Sequence, residues 1–410
     1  MGIAINMILR QGYLDTIRPF INKPVIKVLT GIRRSGKSTI LKLLELELLQ
    51  SGIQANQIIS INFESLKNQE IATASKLHHA ISQQIQPSQM TYLLLDEIQE
   101  VEEWEKAVNS LLVDFRVDIY LTGSNSHLLS SELATFLAGR YIEISVYTLS
   151  YLEFLDFQKA YSTADSSADL FTTYLQYGGF PIVHIAPYSL DSAYKLVFDI
   201  YSSVILRDTV QRYKIRDTEL LERVIKYVFD NIGHTFSGKN VADYFKSQQR
   251  KIDINTIYNY LHALEGAFII YRVPRYDVKG KQILKTQEKF YVSDISLLHA
   301  TVGFRNRFIS GLLENLVFLE LKRAGYSVYV GKFDNFEIDF VAEKKDQKLY
   351  IQVTYKLENQ TTIDREFSTL LKINDQHPKY VISMDELWQE NIDGIRHLHI
   401  VDFLSNGIIN

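Results

Sequence analysis

The sequence predicts an α/β protein whose N-terminal part is a doubly wound parallel sheet. Two observations carry this expectation. From Pro24 to Val146, short apolar runs alternate with stretches of helical period, the pattern of parallel strands joined by crossover helices. The first run, Val25-Ile26-Lys27-Val28-Leu29, leads straight into Gly31-Ile32-Arg33-Arg34-Ser35-Gly36-Lys37-Ser38 and then into a helical stretch from Lys37 to Leu49. Strand, glycine loop and helix follow in the order that turns a helix N-terminus toward an anion.

Strands are expected at about 24–30, 57–63, 91–96, 117–122 and 141–146. The loop after the first reads G-x-x-x-x-G-K-S. Its glycines allow the backbone to wrap phosphates, Lys37 can reach the β- and γ-phosphates, and the Ser38 hydroxyl can hold Mg²⁺. Gly31, Arg34, Ser35, Gly36, Lys37, Ser38 and Thr39 are therefore the expected nucleotide-binding residues. The third strand, Thr91-Tyr92-Leu93-Leu94-Leu95, is apolar throughout, as buried parallel strands are, and ends in Asp96-Glu97. Asp96 suits the Mg²⁺ shell, and Glu97 suits orientation or activation of a water.

The fourth strand ends in Gly123-Ser124-Asn125-Ser126. Ser124 and Asn125 either contact the γ-phosphate and the water or form an ordinary turn with a helix cap. A helical stretch from Ser126 to Leu137 leads to Gly139-Arg140. Arg140 either neutralises transition-state charge, in its own or a neighbouring subunit, or is a surface arginine after a glycine stop.

At 410 residues with 46% hydrophobic content, two or three packed domains are expected. The absence of cysteine excludes disulfides and thiolate metal sites and fits a reducing cytoplasm. Residues 1–10 lack a signal-peptide pattern, because Arg10 follows the short apolar stretch rather than preceding it. No apolar run reaches 18 residues, so no membrane span is expected. The net charge of -4 conceals a local contrast. From Ser237 to Lys289, seven lysines and three arginines face five acids, a net of +5.

After the parallel sheet comes a helix-rich stretch, 148–217, interrupted by the turn Tyr177-Gly178-Gly179-Phe180-Pro181. Residues 218–295 then show helices at about Glu219–Asn231, Ser237–Gln248 and Asn255–Glu265. Strands at about Ala267–Val273 and Lys289–Val292 flank a basic loop with Arg275, Lys279, Lys281 and Lys285. That is the order of a winged helix. Its third helix, with Asn255, Thr256, Asn259 and Tyr260, is the groove-reading candidate, and its loop lysines suit phosphates. The alternative is a lid or packing module that never meets DNA. Residues 296–410 open with a helix from Leu312 to Ala324, followed by strands Ser327–Val330, Phe336–Ala342 and Leu349–Val353.

The phosphate loop, Leu95-Asp96-Glu97-Ile98-Gln99, Thr122-Gly123-Ser124-Asn125-Ser126, Gly139-Arg140, Tyr177-Gly178-Gly179-Phe180-Pro181 and Glu337-Ile338-Asp339-Phe340 together closely resemble prokaryotic AAA+-superfamily ATPases with a C-terminal domain of unknown function. The resemblance spans essentially the whole chain. It implies a P-loop AAA+-like ATPase core at 1–147, a helical lid or linker at 148–217, a winged helix at 218–295 and, at 296–410, a restriction-endonuclease-like α/β domain similar to PD-(D/E)XK nucleases. ATP and Mg²⁺ are the implied cofactors. DNA is the expected partner of an ATP-driven switch; the alternatives are a regulatory ATPase that binds a protein partner and a nucleotide-gated DNA nuclease, and a homo-oligomer is expected where Arg140 completes a neighbouring subunit's site. The nuclease-like end departs from an active pattern. Glu314 and Asp339 match two of its acids, but Gln352 stands at the second acid position of the strands and Thr354 at the lysine position. A neutral amide is a poor ligand for a hard cation, so a retained fold without cleavage is expected unless Lys344, Lys345 or Lys356 substitutes.

Overall fold

Five strands form along the apolar runs: β1 Ile26–Thr30, β2 Ile58–Asn62, β3 Thr91–Asp96, β4 Val117–Gly123 and β5 Tyr141–Ser145. All four pairings between them are parallel, in the order β2-β3-β4-β1-β5. The computed structural model describes residues 7–126, 139–161, 169–249, 252–305, 308–386 and 391–407. The expected helix between Ser126 and Leu137 lies almost wholly outside them.

Side-chain alternation explains why this sheet is covered on both faces. Along β3, Leu93 and Leu95 pack with Leu77 and Ile81 of the Ala74–Ser82 helix and with Trp104, Val108 and Leu111 of the Trp104–Asp114 helix. Tyr92 and Leu94 face the other way, toward Leu14, Ile17, Ile40, Leu44 and Leu48 of the Gln11–Ile17 and Lys37–Gln50 helices. Parallel register then places the strand tips side by side, with Asn62 opposite Asp96, and Leu95 opposite Leu121.

The chain divides into two compact units, residues 1–148 with 266–268 and residues 149–265 with 269–410. In the second unit the helices Tyr151–Tyr161, Leu170–Tyr177, Leu190–Val204, Thr218–Asp230, Gly238–Ser247 and Ile254–Gly266 precede an eight-stranded sheet. Its strands are β6 Ile270–Asp277, β7 Gln282–Val292, β8 Ser327–Phe333, β9 Phe336–Lys344, β10 Gln347–Val353, β11 Lys379–Ser383, β12 Asn391–Ile392 and β13 Ile395–His399. Their order is β12-β13-β11-β10-β9-β8-β6-β7.

The hairpin expected as a wing differs from the expectation. Its strands are longer, leaving a turn of only residues 278–281, and β6 pairs in parallel with β8 through Arg275, Tyr276 and Asp277. The hairpin is the edge of the large sheet. Charged and amide side chains along residues 282–289 hid the strand pattern, and edge strands tolerate such residues. Tyr260, expected to face a groove, is buried, and its hydroxyl donates to the Asp217 carbonyl at 3.2 Å. Asn255 and Asn259 remain exposed.

The Tyr177–Pro181 turn is tied to the helix Ile295–Val302. Asp294 accepts from the Gly179 N–H at 2.8 Å and caps that helix through the Ser296 N–H at 2.9 Å. A Cβ on Gly178 would lie 2.2 Å from the same carboxylate. Two buried histidines brace the segment: His184 donates to the Gly178 carbonyl and His299 to the Leu175 carbonyl, each through Nε2 at 2.8 Å.

Candidate active site at the strand tips

The glycine loop is shaped by close approach. Gly31 has φ +144°, and a Cβ there would lie 2.1 Å from the Val146 carbonyl oxygen. Gly36 has φ +101° and ends the loop at the N-terminus of the Lys37–Gln50 helix. Arg34 takes a left-handed conformation at φ +66° and is exposed. Lys37 is buried, and its ammonium donates to the Gly31 and Ile32 carbonyls at 2.9 and 3.2 Å. Ser38 and Thr39 are exposed on the first turn, while Ser35 is buried.

The strand register builds the polar half of the site. Asp96 Oδ1 accepts from the Ser38 hydroxyl at 3.0 Å and from the Thr122 hydroxyl at 2.6 Å. Its Oδ2 accepts from the Asn62 amide at 2.7 Å. Burial pushes the Asp96 pKa above the usual carboxylate range, the Thr122 and Ser38 hydrogen bonds oppose this, and the neighbouring Glu97 carboxylate adds to it. Glu97 adopts a left-handed backbone, φ +56° and ψ +50°, with its N–H donating to Thr122 Oγ1 at 2.8 Å. Its Oε1 lies 3.8 Å from Lys37 Nζ, and its Oε2 accepts from Gln99 Nε2. Ser124 and Asn125 are fully buried at the tip of β4.

Lys37, Ser38, Asp96 and Glu97 are thus brought together. Asn62, Thr122 and Gln99 join them, although the sequence reading assigned them no role; for Asn62 and Thr122 the signal was their position at strand tips beside Asp96, whereas Gln99 lies in the turn Ile98–Glu100 that follows β3. Arg10 was also missed. Its buried guanidinium donates to the Ser35 carbonyl at 2.7 Å and the Tyr147 carbonyl at 3.0 Å, bracing the loop from beneath.

Arg140 is not in this cluster. It precedes Tyr141, which pairs with Ile26 at the start of β1, whereas the loop follows the end of β1. Five residues of strand at about 3.3 Å each separate the two ends by roughly 16 Å. Its guanidinium is exposed and makes no hydrogen bond or ion pair among the described residues. The register thus sets Arg140 at the opposite end of β1 from the glycine loop of its own chain.

A second polar cluster lies in the large sheet. Lys289 Nζ, at the centre, is 3.1 Å from Glu314 Oε2, 2.9 Å from Glu337 Oε1 and 3.1 Å from Asp339 Oδ1. The Tyr291 hydroxyl donates to Glu314 at 3.0 Å, and Asp339 Oδ2 accepts from the Val353 N–H at 2.9 Å. Gln352 Oε1 accepts from the Asp339 N–H at 3.2 Å. Among the described residues, Thr354 enters the cluster through no hydrogen bond; its N–H donates to the Ile382 carbonyl at 2.9 Å. Burial and the Asp339 charge push the Glu314 pKa up to about 8, against the Lys289 ammonium. The lysines considered as substitutes lie elsewhere: Lys344 donates to the Ala324 carbonyl and Lys356 pairs with Glu358. Lys289 and Tyr291 share one face of β7 by two-residue alternation, which was the available signal. Among the described residues, no group of three His, Cys, Asp or Glu side chains is arranged to hold a metal ion.

Two curated proteins are similar along nearly the whole chain. An uncharacterised protein of Haemophilus influenzae is 40% identical over 97% of this chain and 98% of its own length. An uncharacterised protein of Methanocaldococcus jannaschii is 30% identical over 92% of this chain and 87% of its own. The chain belongs to their family. Residues 23–155 match the family described as an AAA domain, and residues 168–307 match a domain of unknown function. The AAA domain thus covers the sheet and the strand-tip cluster, and with them the fold is that of an AAA+-type P-loop ATPase. Among solved structures, the Walker-type ATPase of Pyrococcus abyssi aligns with a TM-score of 0.49 at 15% identity, covering 72% of this chain and 95% of that one. Among the described residues, no helix is long and apolar enough to cross a membrane.

Proposed function

We propose that this AAA-domain protein is a Mg²⁺-dependent ATP-hydrolysing switch. The observation that carries the proposal is the convergence of Ser38, Asp96, Thr122, Glu97 and Lys37 at adjacent strand tips. The residues present suit the metal: Ser38 Oγ and Asp96 Oδ1 are hard oxygen donors 3.0 Å apart, and Mg²⁺ needs only one or two protein ligands beside phosphate oxygens and waters. When bound, Mg²⁺ would neutralise charge on the β- and γ-phosphates. The backbone from Gly31 to Thr39, with Arg34 and Ser35, would cradle the phosphates. Lys37 would exchange the two loop carbonyls for phosphate oxygens. Glu97 would take the proton of the attacking water or orient it, and Ser124 and Asn125 would contact the γ-phosphate. Arg140 would serve a neighbouring subunit's site. Nucleotide titration tests the binding half: Lys37→Ala should raise the Kd for ATP at least tenfold, and an unchanged Kd would remove Lys37 from the site.

DNA is the proposed partner. The basic excess between 237 and 289 supports it, as do the exposed Asn255, Asn259, Lys279 and Lys281. Lys289 does not contribute, because it is buried among carboxylates. A cationic surface releases counterions on binding, so affinity should fall steeply with salt. A gel shift across salt, with and without ATP, should show this, and Lys279→Ala with Lys281→Ala should flatten the slope. Absence of a shift at low salt would favour a protein partner. Nuclease action is disfavoured because the ammonium of Lys289 lies among the carboxylates Glu314, Glu337 and Asp339.

A further inference from the structure

The proposed hydrolysis needs the Glu97 carboxylate held in one direction, and the structure assigns that task to a residue with no role so far. The chain reverses at the end of β3. Glu97 is left-handed, the next residues form the 3₁₀ turn Ile98–Glu100, and Ile98 is buried beneath it. This reversal folds Gln99 back over Glu97. Gln99 Nε2 donates to Glu97 Oε2 and lies 3.5 Å from Ser124 Oγ, at the tip of β4. One amide nitrogen thus faces both the carboxylate and the serine. The opposite amide orientation would set a carbonyl oxygen against a carboxylate, so the chemistry fixes which atom points where. The remaining oxygen, Gln99 Oε1, is buried with no hydrogen-bond partner among the described residues. The residue accepts that loss while its nitrogen serves Glu97, and a buried carbonyl left unmade costs stability. Such a cost marks an arrangement that packing alone does not favour.

We propose that Gln99 is a positioning residue: its amide orients the Glu97 carboxylate and couples it to Ser124. Among the described residues, Glu97 is otherwise held by its backbone N–H on Thr122 and by Lys37 at 3.8 Å. Lys37 is the group that phosphate oxygens would recruit, which leaves Gln99 as the constant restraint on the carboxylate. The inference rests on the ATPase proposal, and the test separates the two.

Steady-state ATP hydrolysis would be measured for the full chain as wild type, Gln99→Met, Glu97→Gln and the double variant, with nucleotide affinity measured separately. Methionine keeps the length and removes the donor; Gln99→Ala provides a second variant in case methionine packs badly. Gln99→Met should lower kcat about tenfold with KM and Kd for ATP within about twofold. In the Glu97→Gln background it should cause no further loss, because residues acting through one group are non-additive. An unchanged kcat, a change confined to KM, or an equal loss in both backgrounds would overturn the inference and leave the ATPase proposal standing. Absence of turnover in the wild type would instead remove the ATPase proposal, and this inference with it.

Discussion

Replacing Lys289 with methionine should destabilise the C-terminal unit severely. Lys289 is 1% exposed, and its ammonium touches one oxygen each of Glu314, Glu337 and Asp339 at 2.9–3.1 Å. Methionine retains the volume of the stem, so little cavity term enters. What remains is a set of carboxylates without their counter-ion, and removing one partner of a buried pair costs about 3–5 kcal/mol. For a unit of this size each kcal/mol moves Tm by about 2–4 °C, so a fall of roughly 10 °C is expected. The pH dependence gives the sign. Burial and the Asp339 charge push the Glu314 pKa up to about 8 from the ordinary 4.5. Between those values the native state therefore binds more protons than the unfolded state, and this group's contribution to stability falls as pH rises. Without Lys289 the carboxylates repel more strongly, so the deficit of the variant should be largest near pH 8 and shrink toward pH 5. Thermal unfolding of the full chain followed by circular dichroism at both pH values measures it. Adding Glu314→Gln and Asp339→Asn to the variant should recover much of the loss. A Tm within 2 °C of wild type at both pH values would refute the reasoning.

His184 and His299 should weaken the same unit in acid. Burial lowers both to about 4 from 6.5, and each already donates through Nε2 to a backbone carbonyl. The unfolded chain therefore binds more protons between pH 6.5 and 4, stability is lost as pH falls through that window, and His299→Gln should flatten the slope in denaturant titrations. In the AAA domain, Gly31→Ala should abolish ATP binding, because its Cβ meets the Val146 carbonyl at 2.1 Å; Arg10→Met should raise the nucleotide Kd several-fold by releasing the Ser35 carbonyl. Normal affinity in either would show that the loop adapts. Mixing Arg140→Ala with Lys37→Ala protein should restore part of the ATPase activity lost in each, and normal hydrolysis by Arg140→Ala alone would make that residue structural.

The parallel sheet was legible because its strands are buried on both faces and so read as unbroken apolar runs; Thr91–Asp96 formed where expected. The loop was legible because glycine at 31 and 36 answers a local backbone requirement. The hairpin was less so. Residues 282–289 carry lysine, glutamine and glutamate, and only pairing with β6, whose other edge joins β8, makes them a strand. Lys289 was invisible as part of the acidic cluster for a related reason: its partners Glu314, Glu337 and Asp339 are 25 to 50 residues away in sequence. Arg10 and Gln99 act through backbone carbonyls and a turn, which leave no periodic trace. Arg140 shows the converse, since its motif was readable but its place at the far end of β5 followed only from strand register.

The central claim is that Glu97 serves the chemistry and not the binding of nucleotide. Phosphate release by the purified chain, with Mg²⁺ and with the metal chelated, measured beside ATP affinity for wild type and Glu97→Gln, tests it directly. The account predicts Mg²⁺-dependent turnover by the wild type, and for Glu97→Gln an affinity within about threefold and a kcat lowered at least a hundredfold, the scale of a lost general base. Equal turnover by the two proteins, or turnover unaffected by chelation, would contradict it.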